Sequence, residues 1–454
     1  MKSTNKSLMK FLLLIAGISI ISAIQPLHAQ DKKENAELQF NQIWEKIKTN
    51  SPSQKAAVSE AKAAEISKNR SSRHWYPVIY ADAKAYTTND PGLIFMSNMG
   101  QRGVTQDDFI PDNLNNPETG NYQKGTLGID LPLFEGGTRV EAAKAMGKLA
   151  EAKRLQSSSV TLSDFSTAAS AYGKIITLIK IREELNTMSD RVNAVLSNYQ
   201  GGLRSNLVEY SGILSLKSLH NRIKVYLAEN ESKTASLRVY LEKMSGNALP
   251  AGWIPSKEDV ISFSDTYLKA ENLTAGGSYK IKAYEAIADS AMNRAEAEKA
   301  VFMPKFGLFG ETNIYNGDRN TGDSYTAGFY IRMNIVSPMD YGAVEQAELE
   351  SDALKYKAKE AKLNADIELN RLYNFSDILK KNISIMRDNS ILMNELVRNT
   401  QKLFTGGSIK TFQLVDVFSR RTDLIINLAA AEEEYLNVMA GIYNFSVKDI
   451  NEVK

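Results

Sequence analysis

Tyr199-Gln200-Gly201-Gly202-Leu203-Arg204-Ser205-Asn206 and Phe404-Thr405-Gly406-Gly407-Ser408-Ile409-Lys410-Thr411 are the two stretches whose comparison decides the fold. An ungapped shift of 205 residues lays one on the other and takes Gly201 onto Gly406. The approach to the first glycine pair is a seam of Leu178, Ile181, Leu185, Met188, Val192, Val195 and Tyr199. The same shift carries it onto Ile383, Met386, Ser390, Met393, Val397, Thr400 and Phe404, where five of seven positions stay apolar. Alternating spacings of three and four keep an apolar stripe on one side of a helix, facing a partner helix. Glycine then ends the stripe, because it enters left-handed and turn conformations without a Cβ clash. The chain reads as one unit of long helix, Gly-Gly turn and long helix, written twice.

Working outward, the period changes from helical to two. Across residues 75–86, Ile79, Ala81, Ala83 and Ala85 alternate with Tyr80, Asp82, Lys84 and Tyr86. Across 126–134, Leu127, Ile129, Leu131 and Leu133 alternate with Gly128, Asp130 and Pro132. The second copy has strands at 306–315 and 325–335, the latter placing Ala327, Phe329, Ile331, Met333 and Ile335 against Gly328, Tyr330, Arg332 and Asn334. Strict alternation is the pattern of a strand with one wet and one dry face. Ser51-Pro52 followed by Gln54 predicts a helix start with a capping box. The order in each half is helix, strand, strand, very long helix, Gly-Gly turn, long helix. Residues 30–243 form the first repeat, 244–275 a connector where Pro250, Gly252 and Pro255 break the period, and 276–454 the second repeat. Residues 139–200 would span roughly 90 Å as one helix. The serine run at 157–159 and Gly173 leave open whether it is one helix or two stacked ones.

Residues 1–29 read as a secretory signal, with Lys2, Lys6 and Lys10 ahead of an apolar run at 11–24 and a cleavage point near Ala29. Its removal takes away three lysines and no acids, moving the formal charge from +2 to −1 and leaving no basic bias toward nucleic acid. There is no cysteine, so an exported chain of this length must be held by packing, oligomerisation or membrane insertion. No later apolar run approaches the length of a spanning helix. A membrane barrel remains open, since barrel strands leave weak hydropathy traces.

Four strands cannot close around a lumen, and open edges in a bilayer leave orphaned backbone groups at several kcal/mol each. Spanning strands would therefore have to be shared among copies, and three copies would supply about twelve. On that reading Tyr80, Asp82, Lys84, Arg332 and Asn334 line water while the aliphatic positions meet lipid. A soluble sheet with one wet face uses the same alternation.

These features together resemble the TolC family of Gram-negative outer-membrane efflux proteins. The resemblance rests on the Ser51-Pro52 start, Trp75-Tyr76-Pro77 before a strand, Leu131-Pro132-Leu133-Phe134-Glu135-Gly136-Gly137 opening a helix, and the duplicated Gly-Gly hairpin. The second copy departs from the helix-opening motif, keeping a proline and one glycine in the stretch 335–342. The resemblance implies a mainly α chain with membrane β: a homotrimer whose 12-stranded barrel in the outer membrane continues as an α-helical barrel through the periplasm. It implies an exit duct for efflux or type I secretion, docking to a periplasmic adaptor (membrane fusion) protein and an inner-membrane RND or ABC transporter, with no cofactor. The loop joining the first two strands would face the cell exterior. The Gly-Gly turns become periplasmic tips, where Gly202, Leu203, Arg204 and Ser205, with Gly407, Ser408, Ile409 and Lys410, meet the adaptor and ring the entrance. Family members carry a gating arginine where this chain has Ile409, so a charge lock and an apolar constriction are both open. Asn206 and Glu209 would cap the returning helix.

Catalytic chemistry is not visible. After the signal only His74 and His220 remain, and no His-x-x-x-His pair, phosphate-binding glycine loop or nucleophile elbow occurs. The runs Glu432-Glu433-Glu434 and Lys380-Lys381 are expected on solvated helix faces. The alternative to a duct is a soluble periplasmic coiled-coil scaffold or adaptor, which would keep the heptads without needing paired strands. A secreted hydrolase would need a catalytic cluster that is not found.

Overall fold

Two helices run the length of the molecule. In the computed structural model, which describes residues 36–198, 207–270, 273–335 and 337–446, α5 (Thr138–Asn198, 61 residues) and α9 (Ala343–Thr405, 63 residues) each extend about 90–95 Å. The signal segment, the first Gly-Gly turn and Asn206 lie outside the described residues. Near the sheet, α5 and α9 pack with α2 (Pro52–Ser71) and α8 (Tyr279–Lys299). Further down they pack with α6 (Leu207–Met244) and α10 (Thr411–Tyr443).

The serine run does not interrupt α5, because its hydroxyls are satisfied by the helix itself: Ser158 donates to the Arg154 carbonyl, and Thr161 donates to that of Ser157. Gly173 does not break it either. A Cβ there would stand 2.9 Å from both Leu436 methyls, so the glycine lets α5 and α10 approach closely.

The first-copy seam from Leu178 to Val195 is buried throughout the described residues. From Ile181 onward it packs against Leu216, Leu219 and Ile223 of α6, Val397 of α9, and Leu414, Phe418 and Ile425 of α10. Above this, a second core gathers the connector. The connector holds a two-residue strand, β4 (Ile254–Pro255), paired in parallel with β1 (Glu37–Leu38), and a short helix, α7 (Val260–Tyr267). It buries Trp253, Val260, Phe263 and Leu268 against α1 (Phe40–Asn50) and α5. Tyr172 ties the pieces together: its hydroxyl donates to the Leu38 carbonyl at 2.7 Å and accepts from the Ser256 N–H at 2.9 Å.

Two expectations fail here. Ser51 makes no side-chain cap; its hydroxyl instead donates to Asp164 on α5 at 2.9 Å, a long-range bond that no local motif encodes. Glu432 is not on a solvated face but 1% exposed. It accepts from Arg387 at 2.7 Å, and Arg387 also pairs with Asp259 at 2.7 Å. Thr177 contributes a further bond at 3.2 Å. A buried carboxylate is tolerated only with such partners, and these come from α5 and α9, while Asp259 of the connector shares the arginine.

The four long strands form one antiparallel sheet in the order β2 (Val78–Thr88), β3 (Gly120–Glu135), β5 (Lys305–Gly317), β6 (Thr321–Arg332). Each repeat supplies one hairpin, and β3–β5 pairing joins them, with Leu127 opposite Thr312 and Ile129 opposite Gly310. A bulge between Pro132 and Phe134 closes the β3 register near the stem. Strand β6 stops at Arg332, opposite Lys305, short of the expected 335. The next residue on β5's side is Pro304, which has no N–H to continue the ladder, so Asn334 lies beyond the sheet. Beyond β2 and β6 the sheet has no further strand among the described residues.

Candidate functional site

Register fixes two faces of opposite chemistry. Tyr80, Asp82, Lys84 and Tyr86 of β2 share one face with Lys124, Thr126 and Asp130 of β3, Glu311 and Asn313 of β5, and Thr326, Tyr330 and Arg332 of β6. Polar contacts run across it. Tyr80 reaches over Gly128 to donate to Glu311 at 2.5 Å, and Tyr330 reaches over Gly307 to donate to Asp130 at 3.2 Å. Thr126 donates to Asn313 at 2.7 Å, and Lys84 lies 3.5 Å from Asp82. Each edge strand is thus clasped to the sheet centre by a tyrosine laid over a glycine. A Cβ on Gly128 would sit 2.2 Å from the Tyr80 ring and one on Gly307 2.4 Å from Tyr330, which is why these positions have no side chain.

The opposite face is apolar and bare. Ile79, Leu127, Ile129, Leu308, Phe329 and Ile331 are exposed, Phe329 at 76%. Phe134 and Phe306 stack there with ring centroids 5.8 Å apart. Large uncovered apolar surfaces mark contact with another protein or with a membrane. No helix among the described residues is long and apolar enough to cross a membrane.

At the far end of the stem, Gly406 closes α9 in helical geometry and Gly407 turns the chain with φ +74°. The Ser408 N–H donates to Leu403 O at 2.9 Å and that of Gly407 to Phe404 O at 3.0 Å, so the last carbonyls of α9 are satisfied. Ser408 and Lys410 are exposed and Ile409 is half-buried. Their counterparts Gly202, Leu203, Arg204 and Ser205 lie outside the described residues. The start of α10 is pinned to α6: Thr411 is 1% exposed and donates to Glu209 at 2.6 Å.

Nearly three turns further in, Arg421 of α10 is buried and bridges Glu184 of α5 at 2.5 Å and Ser390 of α9 at 2.7 Å. Burial pulls its guanidinium below the ordinary arginine range, against the attraction of Glu184. Arg191 of α5 adds a bond to Gln401 of α9 at 2.9 Å.

Sequence reasoning missed Glu311, Thr411, Arg421 and Gly212 as parts of these constellations. A Cβ on Gly212 would stand 2.7 Å from the Thr411 Cβ. Gly212→Ala is therefore expected to force α6 and α10 apart beside the tip at about 1–3 kcal/mol, read as a lower unfolding temperature and faster proteolysis there.

The remaining chemistry is spare. His74 Nδ1 lies 2.9 Å from the Ser71 carbonyl, and His220 is buried mid-helix with its basicity lowered by that burial and by Lys224. Among the described residues no group of three or more His, Cys, Asp or Glu could hold a metal ion.

No protein-family model matches the chain, and no curated protein is significantly similar to it. Solved structures are. CusC, described for its folding and transmembrane channel formation, superimposes with a TM-score of 0.74 at 12% identity, covering 90% of this chain and 92% of its own. The CmeC outer-membrane channel of Campylobacter jejuni gives 0.73 at 11% identity, covering 96% of both chains. The open-state MtrE outer-membrane channel of Neisseria gonorrhoeae gives 0.72 at 15% identity, covering 90% of this chain and 89% of its own. Each of the three is described as a channel. The likeness extends over nearly the whole of each chain, and the protein has the fold of these outer-membrane channels, the fold implied by its resemblance to the TolC family.

Proposed function

We propose that this protein is an outer-membrane exit duct: three copies close one barrel of about twelve strands, continued by their helical stems into the periplasm. The observation that carries the reading is the sheet. Its apolar face is uncovered, its polar face is knit by Tyr80–Glu311 and Tyr330–Asp130, and both edge strands end the ladder. An isolated sheet of this kind would expose edges and grease together, whereas closure with two further copies in a bilayer removes both liabilities. The stem supports the same arrangement. On α9, Leu349, Tyr356, Leu363, Ile378, Ile385 and Leu392 fall close to heptad spacing and are all exposed, a second seam awaiting a partner helix.

The duct is passive and performs no catalysis. Substrate delivery falls to an inner-membrane RND or ABC transporter through a periplasmic adaptor, which grips the tips at Gly202, Leu203, Arg204 and Ser205 and at Gly407, Ser408, Ile409 and Lys410. Tyr80, Asp82, Lys84 and Arg332 face the water path, and Asn334 sits just below the barrel wall. The entrance opens when the tip hairpins splay, breaking the Thr411–Glu209 and Arg421–Glu184 bonds that hold α10 against its neighbours.

Membrane fractionation tests this directly. The protein is expected in the detergent-extracted outer membrane as a trimer that dissociates only on heating. A freely soluble periplasmic monomer would instead make it a coiled-coil scaffold and end the duct reading. For the tip, Lys410→Glu is expected to abolish export while leaving the trimer intact, measured as substrate retained by cells; unimpaired export would remove the tip from the adaptor contact.

A further inference from the structure

Residues 89–119, which join β2 to β3, fold into a compact insert. α3 (Pro91–Gly100) starts with Asp90 as its cap and lies across the end of the sheet farthest from the stem, followed by a turn of 3-10 helix (Gln106–Phe109) and α4 (Pro111–Asn115). The strand residues beneath α3 belong to the polar face. The Tyr86 and Ser97 hydroxyls are 2.7 Å apart, and the Tyr122 hydroxyl donates to Asn98 at 3.2 Å. A Cβ on Gly100 would stand 2.8 Å from the Tyr315 ring. One on Gly322 would stand 2.3 Å from the Gly100 carbonyl, so the glycine there admits the insert's backbone. Ser97, Asn98 and Gln101 are buried by this packing.

The insert is latched to the β5–β6 turn of the other repeat. Arg319 donates to Asp108 at 2.6 Å and to the Gly103 carbonyl at 3.0 Å, while Gln101 Oε1 accepts from the N–H groups of Arg319 and Asn320. The far side of the insert is apolar and exposed, with Leu93, Met96, Met99, Phe109, Ile110 and Leu114.

We propose that residues 89–119 are an exit plug, a folded insert on the water-lined side of the barrel wall that narrows its outer mouth and turns its apolar side toward the same segment of the neighbouring copies. This rests on the duct reading above. A wall that curves with its polar face inward brings its inserts toward one axis. Bare apolar side chains standing in a water-filled mouth are costly unless they meet each other. The latch does not respond to mild acid. Arg319, aided by the Thr105 N–H, holds the Asp108 carboxyl at about 2. A lowered carboxyl value means the pair's contribution is complete above the ordinary carboxylate range and fades only as pH falls toward that value.

The absence of cysteine makes engineered thiols unique. Thr126→Cys on the polar face and Ala83→Cys on the apolar face are labelled from outside the cell, in the assembled trimer, with a small impermeant maleimide and with a polymer-linked one. Replacing residues 90–118 by a short Gly-Ser turn is expected to raise polymer labelling of Thr126→Cys at least ~10-fold, equivalent to about 1.4 kcal/mol in the barrier, with a smaller change for the small reagent. Arg319→Ala, which keeps the whole insert, is expected to fall between. Unchanged polymer labelling in both variants overturns the plug. Labelling of Ala83→Cys but never of Thr126→Cys would instead reverse the faces, and the duct reading itself would fall.

Discussion

Leu127→Arg is expected to prevent assembly in the membrane, at about 2–4 kcal/mol for each copy if the residue sits near the bilayer midplane. Leu127 stands mid-strand on the apolar face, opposite Ala81 and Thr312, and is half exposed in the single chain. In the barrel proposed above it would meet lipid, where a guanidinium has neither water nor a partner. Thr326→Arg places the same charge on the other face, directly opposite Glu311, and is expected to change stability by no more than about 0.5 kcal/mol. The measurement is the fraction of each variant recovered as heat-dissociable trimer, together with its unfolding midpoint in urea. Equal recovery of the two variants would mean that the apolar face does not meet lipid.

Arg387→Met is expected to cost about 3–5 kcal/mol, because it leaves the Glu432 carboxylate, 1% exposed, without its charged partner. The loss is larger than for surface pairs such as Lys68–Glu65, where both side chains are about half in water and removal costs under about 1 kcal/mol. Because Arg387 also holds Asp259, the same change frees the connector from the stem. Arg387→Met combined with Glu432→Leu is expected to recover much of the loss, since apolar replacement of a whole buried pair is often tolerated. The check is thermal unfolding of the two single variants and the double variant; strict additivity would show that the two residues act independently. A loss below about 1 kcal/mol for Arg387→Met would place Glu432 in contact with water.

The distribution of what was legible follows the range of the interactions. The heptads of α5 and α9 are local, and every described seam position of the first copy is buried as its spacing requires. The second copy reads less cleanly: Met386, Ser390, Met393 and Phe404 are half-buried, because α9 also presents its second apolar stripe outward. The insert was missed although its start carries a readable signal, Asp90 as cap and Pro91 at the first helical position. The helix that follows has ten residues, too few for a periodicity to show, and the turn-forming residues around it read as loop. The connector was recognised only as a break in period. Its contribution to the core comes from single large residues, Trp253 and Phe263, which fit gaps left by α1 and α5.

The polar and apolar sets on each strand, the two long spines and the repeat itself were determined by the sequence alone, because period and glycine placement are properties of neighbouring residues. Alternation sorts side chains into two sets but carries no sense of which set meets water, and it cannot pair β3 with β5 across the intervening stem. The tertiary structure decided the β3–β5 pairing, along with the burial of Glu432 and the folding of the insert onto the polar face. In each case the deciding partner lies far along the chain: Thr312 for Leu127, Arg387 for Glu432, Arg319 for Asp108. The free energy of a charge or a strand edge depends on what lies within a few ångströms, and only the folded chain brings those groups together.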